Sequence, residues 1–106
     1  MKLLFACVLM LAAVFGTAGA HAAGKSHTVR MEGIKFIPER LEVNAGDTVT
    51  WTNKDLVPHT VTAKKLSVES GDIAPSKTWT FTARQKGEID YICRLHPIMK
   101  GVLIVK

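Results

Sequence analysis

This sequence predicts an all-β fold, a Greek-key antiparallel β-sandwich of about seven strands. Apolar or aromatic residues alternate with threonines and charges at period two in several short runs. Gly, Asp, Asn and Pro separate those runs, and these are the residues of turns. No window of about 11 residues carries an apolar stripe at helical spacing.

The elements follow in order. Thr28–Met31 alternates, and Leu41-Glu42-Val43 is a short apolar-polar-apolar piece. Thr48–Asn53 alternates strictly, placing Val49 and Trp51 on one face and threonines on the other. His59–Ala63 reads as a fourth strand, and Lys77–Thr82 as a fifth with Trp79 and Phe81 inward. Glu88–Cys93 and Val102–Val105 complete the set. Asn44–Asp47 and Gln85–Gly87 are turns, with another at Gly71-Asp72, and Lys64–Pro75 is the least regular stretch. Pro58 and Pro97 lack an amide hydrogen, so they belong at strand ends or in loops.

The strands occupy only part of the chain. Lys2 is the single charge in the first 24 residues, followed by the apolar run Leu3–Phe15, small residues, and Ala20-His21-Ala22. A basic start, an apolar stretch of about 7–15 residues and a small-x-small site describe a cleavable export signal. A transmembrane anchor needs about 20 apolar residues, longer than this run. Residues 1–22 are thus expected to be removed, by cleavage after Ala22 or, second choice, after Ala20. Residues 23–106 would form one domain in the periplasm without a membrane anchor. With 106 residues in all, there is no room for a two-lobed enzyme. Losing Lys2 lowers the formal charge from +5 to +4. That balance, without an aromatic-basic stripe, gives no ground for nucleic-acid binding.

An exported domain this small often relies on disulfides. Cys93 would be its only cysteine, so no internal disulfide is available. A lone thiol in an oxidising compartment calls for a partner. Cys93-Arg94-Leu95-His96-Pro97-Ile98-Met99 supplies one, a Cys-x-x-His-x-x-Met run, and His59 lies one excursion earlier. A thiolate, two imidazoles and a thioether form a soft donor set that favours copper. Zinc accepts Cys and His but completes its sphere with another Cys or His, a carboxylate or water, and Met99 is a poor substitute. Taken singly, a buried Cys, a loop His and a core Met are ordinary; together at this spacing they point to one copper ion. His27 has no partner at ligand spacing and is expected to face solvent.

At these residues the chain resembles the cupredoxins, the plastocyanin-like blue copper proteins, over 24–106. The segment Val43–Asn53 is similar to the family's V-x-x-G-D-x-V-x-W-x-N, and Gly87–Cys93 to its G-x-Y-x-Y-x-C, with Ile89 where an aromatic is common. The short gaps from Cys93 to His96 and from His96 to Met99 resemble the amicyanin branch. Thr60 stands where many relatives carry an Asn that bonds across the ligand loops, and Arg94 where a small residue is usual. The resemblance implies His59, Cys93, His96 and Met99 as ligands of a type 1 copper cycling between Cu(I) and Cu(II). It implies a monomeric electron carrier, not an enzyme, whose electrons leave through His96 in an apolar collar of Leu56, Pro58, Pro97 and Ile98. Lys54, Lys64, Lys65, Arg94 and Lys100 would steer an acidic redox partner. The competing reading is a copper-handling protein that stores or delivers the ion without redox turnover.

Overall fold

The period-two runs fold as strands, and burial alternates along them as the pattern dictates. The computed structural model describes residues 24–106, so the export signal expected over 1–22 lies outside the described residues. Among the described residues nine strands form: β1 Ser26–Met31, β2 Phe36–Ile37, β3 Arg40–Val43, β4 Thr48–Asn53, β5 Thr62–Ala63, β6 Val68–Glu69, β7 Thr78–Thr82, β8 Gly87–Cys93 and β9 His96–Val105. One turn of 3-10 helix, Lys64–Leu66, joins β5 to β6.

They build two facing sheets, ordered β2-β1-β4-β7 and β3-β9-β8-β5-β6. The chain repeatedly crosses from one sheet to the other, so many consecutive strands do not pair. A strand that returns to its sheet after such an excursion can lie parallel to its neighbour. Two pairs do, β1 with β4 and β3 with β9, and the remaining pairs are antiparallel.

Nine strands replace the expected seven for local reasons. β2 and β6 have two residues each, too few for a period to be seen. The fourth expected strand is trimmed to Thr62–Ala63, and His59 instead makes an isolated bridge to Ile73. The last strand begins at His96 rather than Val102, because Pro97 and Gly101 disguise it. Gly71-Asp72 is irregular rather than a turn.

The inner faces carry the core. β4 alternates so that Val49, Trp51 and Asn53 are buried while its threonines look outward. Val29 and Met31 of β1 join them, facing Val43 of β3, Tyr91 and Cys93 of β8, and Leu103 and Val105 of β9. Burying one such aliphatic side chain contributes about 1.5–3 kcal/mol.

The aromatic centre lies beneath the site. Trp51 donates its indole hydrogen to the Tyr91 hydroxyl at 3.2 Å, with the two rings edge to face at 5.5 Å. Phe36 closes the other side of Tyr91 at 4.7 Å. Burial pushes the Tyr91 phenol up to about 12, so it stays neutral. Gly101 pairs with Tyr91 across the ladder, and a Cβ there would lie 2.3 Å from the Tyr91 ring. The glycine in mid-strand is therefore a packing requirement, and the ring takes the space a side chain would use.

Candidate metal centre

The site stands at one end of the sandwich, where β4 runs out, β8 ends and β9 begins. β8 and β9 form a tight hairpin in which Cys93 pairs with His96 and only Arg94 and Leu95 make the turn. The next ladder pair is Ile92 with Lys100, so Pro97, Ile98 and Met99 have no partner on β8. Pro97 has no amide hydrogen to give to the ladder, which accords with a bulge here. Bulging aims Ile98 into solvent, at 85% exposure, and turns Met99 inward, at 1%.

His59 is brought in by Asn53, the polar residue that ends the inner face of β4. The Asn53 amide donates to the carbonyls of Val57 at 2.8 Å and Ile73 at 2.9 Å. Its oxygen accepts from the Asp55 amide at 2.9 Å. One buried side chain thus folds the 54–58 loop back and aligns Ile73 for its two backbone bonds with His59.

His59, Cys93 and His96 then converge, with one donor atom from each lying within 4.8 Å of the others. Both Nδ1 atoms lie 3.7 Å from Cys93 Sγ. Ligand bonds of about 2.0–2.1 Å to nitrogen and 2.3 Å to sulfur, spread in a plane, place nitrogen and sulfur about 3.7–3.8 Å apart. The observed spacing therefore fits a trigonal metal site. The histidine rings lie 5.1 Å apart. His59 and Cys93 are fully buried, whereas the His96 side of the site reaches the surface.

Neighbouring groups prepare each donor. Asp55 Oδ2 lies 2.8 Å from His59 Nε2, and a carboxylate accepts, so Nε2 carries the hydrogen. Nδ1 is left as a bare lone pair facing the sulfur, as a metal ligand requires. Asp55 is itself held by the amides of Gly33 at 2.7 Å and Ile34 at 2.9 Å. Burial raises the Asp55 pKa, but the Ile34 amide, His59 and the Gly33 amide outweigh it and hold the carboxyl below its ordinary value. Both amides point at one carboxylate because Gly33 and Ile34 have φ of 65° and 57°. For a β-branched residue that conformation is an outlier, and the Asp55 bond holds it in place. The Thr60 amide donates to Cys93 Sγ at 3.3 Å, and Thr60 Oγ1 accepts from the Arg94 amide at 2.8 Å.

Two sequence expectations change. His27 does not simply face solvent: its Nε2 lies 2.9 Å from Asp47 Oδ2, and Asp47 also accepts from the amides of Lys25 and Asn44. The turn brings Asp47 back over β1, a contact that ligand-spacing arguments do not detect. Arg94, one of the charges expected to steer a partner, also has partners within the chain, since its guanidinium pairs with Glu69 and lies 3.8 Å from Asp72. The groups that sequence reasoning missed are Asn53, Asp55, Thr62 and Glu69. Asn53, which ends the family-like Val43–Asn53 segment, and Asp55, four residues before His59, had readable signals.

Comparison with known proteins agrees with this geometry. A model of the cupredoxin-like domain matches residues 4–105. The chain belongs to the cupredoxin-like family. It is 33% identical over 107 residues to amicyanin-alpha of Methylorubrum extorquens, covering 96% of this chain and 90% of that one. Amicyanin of Paracoccus versutus is 31% identical over 94 residues, covering 84% and 71%. The solved Cu(I) form of a methionine-to-alanine mutant of amicyanin matches with a TM-score of 0.72 at 30% identity, covering 82% and 88%. This cupredoxin therefore has the character of a copper-binding, electron-transport protein like amicyanin, not of an enzyme, and its His-Cys-His triad is consistent with a type 1 copper site.

Proposed function

We propose that the protein is a periplasmic electron carrier whose ligands to a single copper are His59, Cys93, His96 and Met99. The observation that carries this reading is the 3.7 Å spacing of both imidazole nitrogens from one buried thiol. Bound there, copper would supply a centre that changes oxidation state by one electron. The chain's own part is to keep the donors still. One sheet fixes Cys93 and His96 through the β8–β9 hairpin, Asn53 fixes the His59 loop, and Asp55 selects the His59 tautomer.

Met99, buried in the bulge, serves as the weak fourth donor. The His96 side faces outward amid Leu56, Val57, Leu95 and Ile98, all at least 40% exposed. That apolar patch is the docking face for a redox partner, and His96 the electron route. Lys54 and Lys100, exposed beside it, would favour an acidic partner. With residues 1–22 as a cleaved export signal, the N-terminus of the exported protein should sequence as Ala23; an intact Met1 would overturn that part.

The absorption spectrum of the copper-loaded protein tests the main reading. Charge transfer from Cys93 sulfur should give an intense blue band, and a spectrum without one would reject it. Met99 has its own test. Met99→Gln should still bind copper but lower the reduction potential, because an oxygen donor is harder and favours Cu(II). An unchanged potential on voltammetry would make Met99 a core residue only.

A further inference from the structure

Beside the metal set lies a ring of hydrogen bonds that includes no ligand. The Arg94 amide donates to Thr60 Oγ1 at 2.8 Å, and the Thr60 and Thr62 hydroxyls lie 2.9 Å apart. The Thr62 hydroxyl donates to Glu69 Oε2, and Glu69 Oε1 accepts from Nε of Arg94. The ring therefore leaves from the Arg94 backbone and returns to its side chain.

Its direction is fixed by chemistry. An ionised carboxylate only accepts, so Thr62 gives its one hydrogen to Glu69. The Thr60 hydrogen must then go to Thr62, and the remaining lone pairs of Thr60 Oγ1 face the Arg94 amide. The bond from Thr62 is the main cause holding the Glu69 carboxyl below its ordinary value, with Arg94 adding to it against a burial cost. Every member is satisfied in a single orientation. Thr60 and Thr62 are buried, at 0% and 4% exposure, so opening the ring leaves a hydroxyl with neither partner nor water.

The ring joins the residue after His59 to the residue after Cys93, and its far anchor lies on β6. We propose that Glu69 and Thr62 are positioning residues for the copper site, holding the His59 and Cys93 segments at ligand spacing before metal arrives. The Thr60 amide stays on the Cys93 sulfur because the Thr60 side chain is tied on both sides. The Arg94 charge is then used to close the ring rather than to steer a partner. This inference rests on the copper reading, but its first test does not require metal.

The test is amide hydrogen exchange by NMR on the copper-free full chain. Thr62→Val keeps the side-chain shape and leaves the Thr60 hydroxyl without an acceptor, which costs the desolvation of a buried polar group. Exchange at Thr60 and Arg94 should quicken about tenfold. Core amides of Val49 and Leu103 should change far less, and Thr62→Ser should restore protection. In the copper-loaded protein, Thr62→Val should also lower the reduction potential, since a slackened N–H···S bond leaves more charge on sulfur and favours Cu(II). Equal acceleration at all four amides would mean general destabilisation and overturn the proposal, as would unchanged exchange at Thr60 and Arg94. If Thr62→Val does not fold, Glu69→Gln turns an amide hydrogen toward either Thr62 or Arg94 without making a cavity, and the same amides are read. A wild-type chain that takes up no copper would instead sink the copper reading and leave the exchange result standing.

Discussion

Copper-loaded Cys93→Ser is expected to lose the blue band entirely. The colour of such a centre comes from the thiolate, and a serine oxygen is a hard donor that cannot supply that transition. Softness also sets affinity, since thiolate and thioether stabilise Cu(I) while oxygen does not. The variant should therefore bind Cu(I) far more weakly, and the potential of any copper it retains should fall. The fold should survive the change. Cys93 is fully buried, serine is slightly smaller, and the Thr60 amide that meets the sulfur at 3.3 Å would find an oxygen instead. Circular dichroism of the metal-free variant matching wild type, together with a colourless copper form, is the predicted pair. A variant that stayed blue would remove Cys93 from the ligand set.

Where side-chain alternation carried the information, the sequence was readable. β4 is found at Thr48–Asn53 as expected, and the expected β7 and β8 each begin within a residue of the observed start, because one face of each packs on the core, buried in β4 and β8 and partly buried at Trp79 and Phe81 of β7. The convergence of His59, Cys93 and His96 was readable for a different reason. Cys93 and His96 lie on one short hairpin, so their proximity is local, and with His27 lacking any partner at ligand spacing, His59 was the histidine left to join them. What escaped was whatever depends on the far side of a long loop. Glu69 meets Arg94 only because β6 folds back on β5, and no pattern in Lys64–Pro75 announces a two-residue strand. Gly101 resembles a strand breaker until Tyr91 is known to fill the space above it. The Gly33-Ile34 turn could not be foreseen, since an isoleucine at positive φ runs against its own preference. Local rules fail here next to the site, where Asp55 holds the backbone against them.

That carboxylate carries the second large effect. Asp55→Asn should reduce copper affinity about 10–100-fold, the range found when a group supporting a metal-bound histidine is lost. The asparagine NH₂ group must stand either at the Oδ2 position, against His59 Nε2 and the Ile34 amide, or at the Oδ1 position, against the Gly33 amide, all of which already donate. If it faces His59, the Nε2 hydrogen has no acceptor, and the imidazole is free to adopt the tautomer with hydrogen on Nδ1, where the metal should be. If it faces Gly33, the turn loses one of the two bonds that hold Ile34 left-handed, a conformation that costs about 1–3 kcal/mol. Removing the negative charge should also raise the reduction potential, because a carboxylate near the site favours Cu(II) over Cu(I). The sign separates this variant from Met99→Gln and Thr62→Val, both of which should lower the potential. Competition with a chelator reads the affinity, and voltammetry on the same samples reads the potential. Wild-type affinity together with an unmoved potential would reduce Asp55 to a loop staple, and His59 would then owe its tautomer to the metal alone.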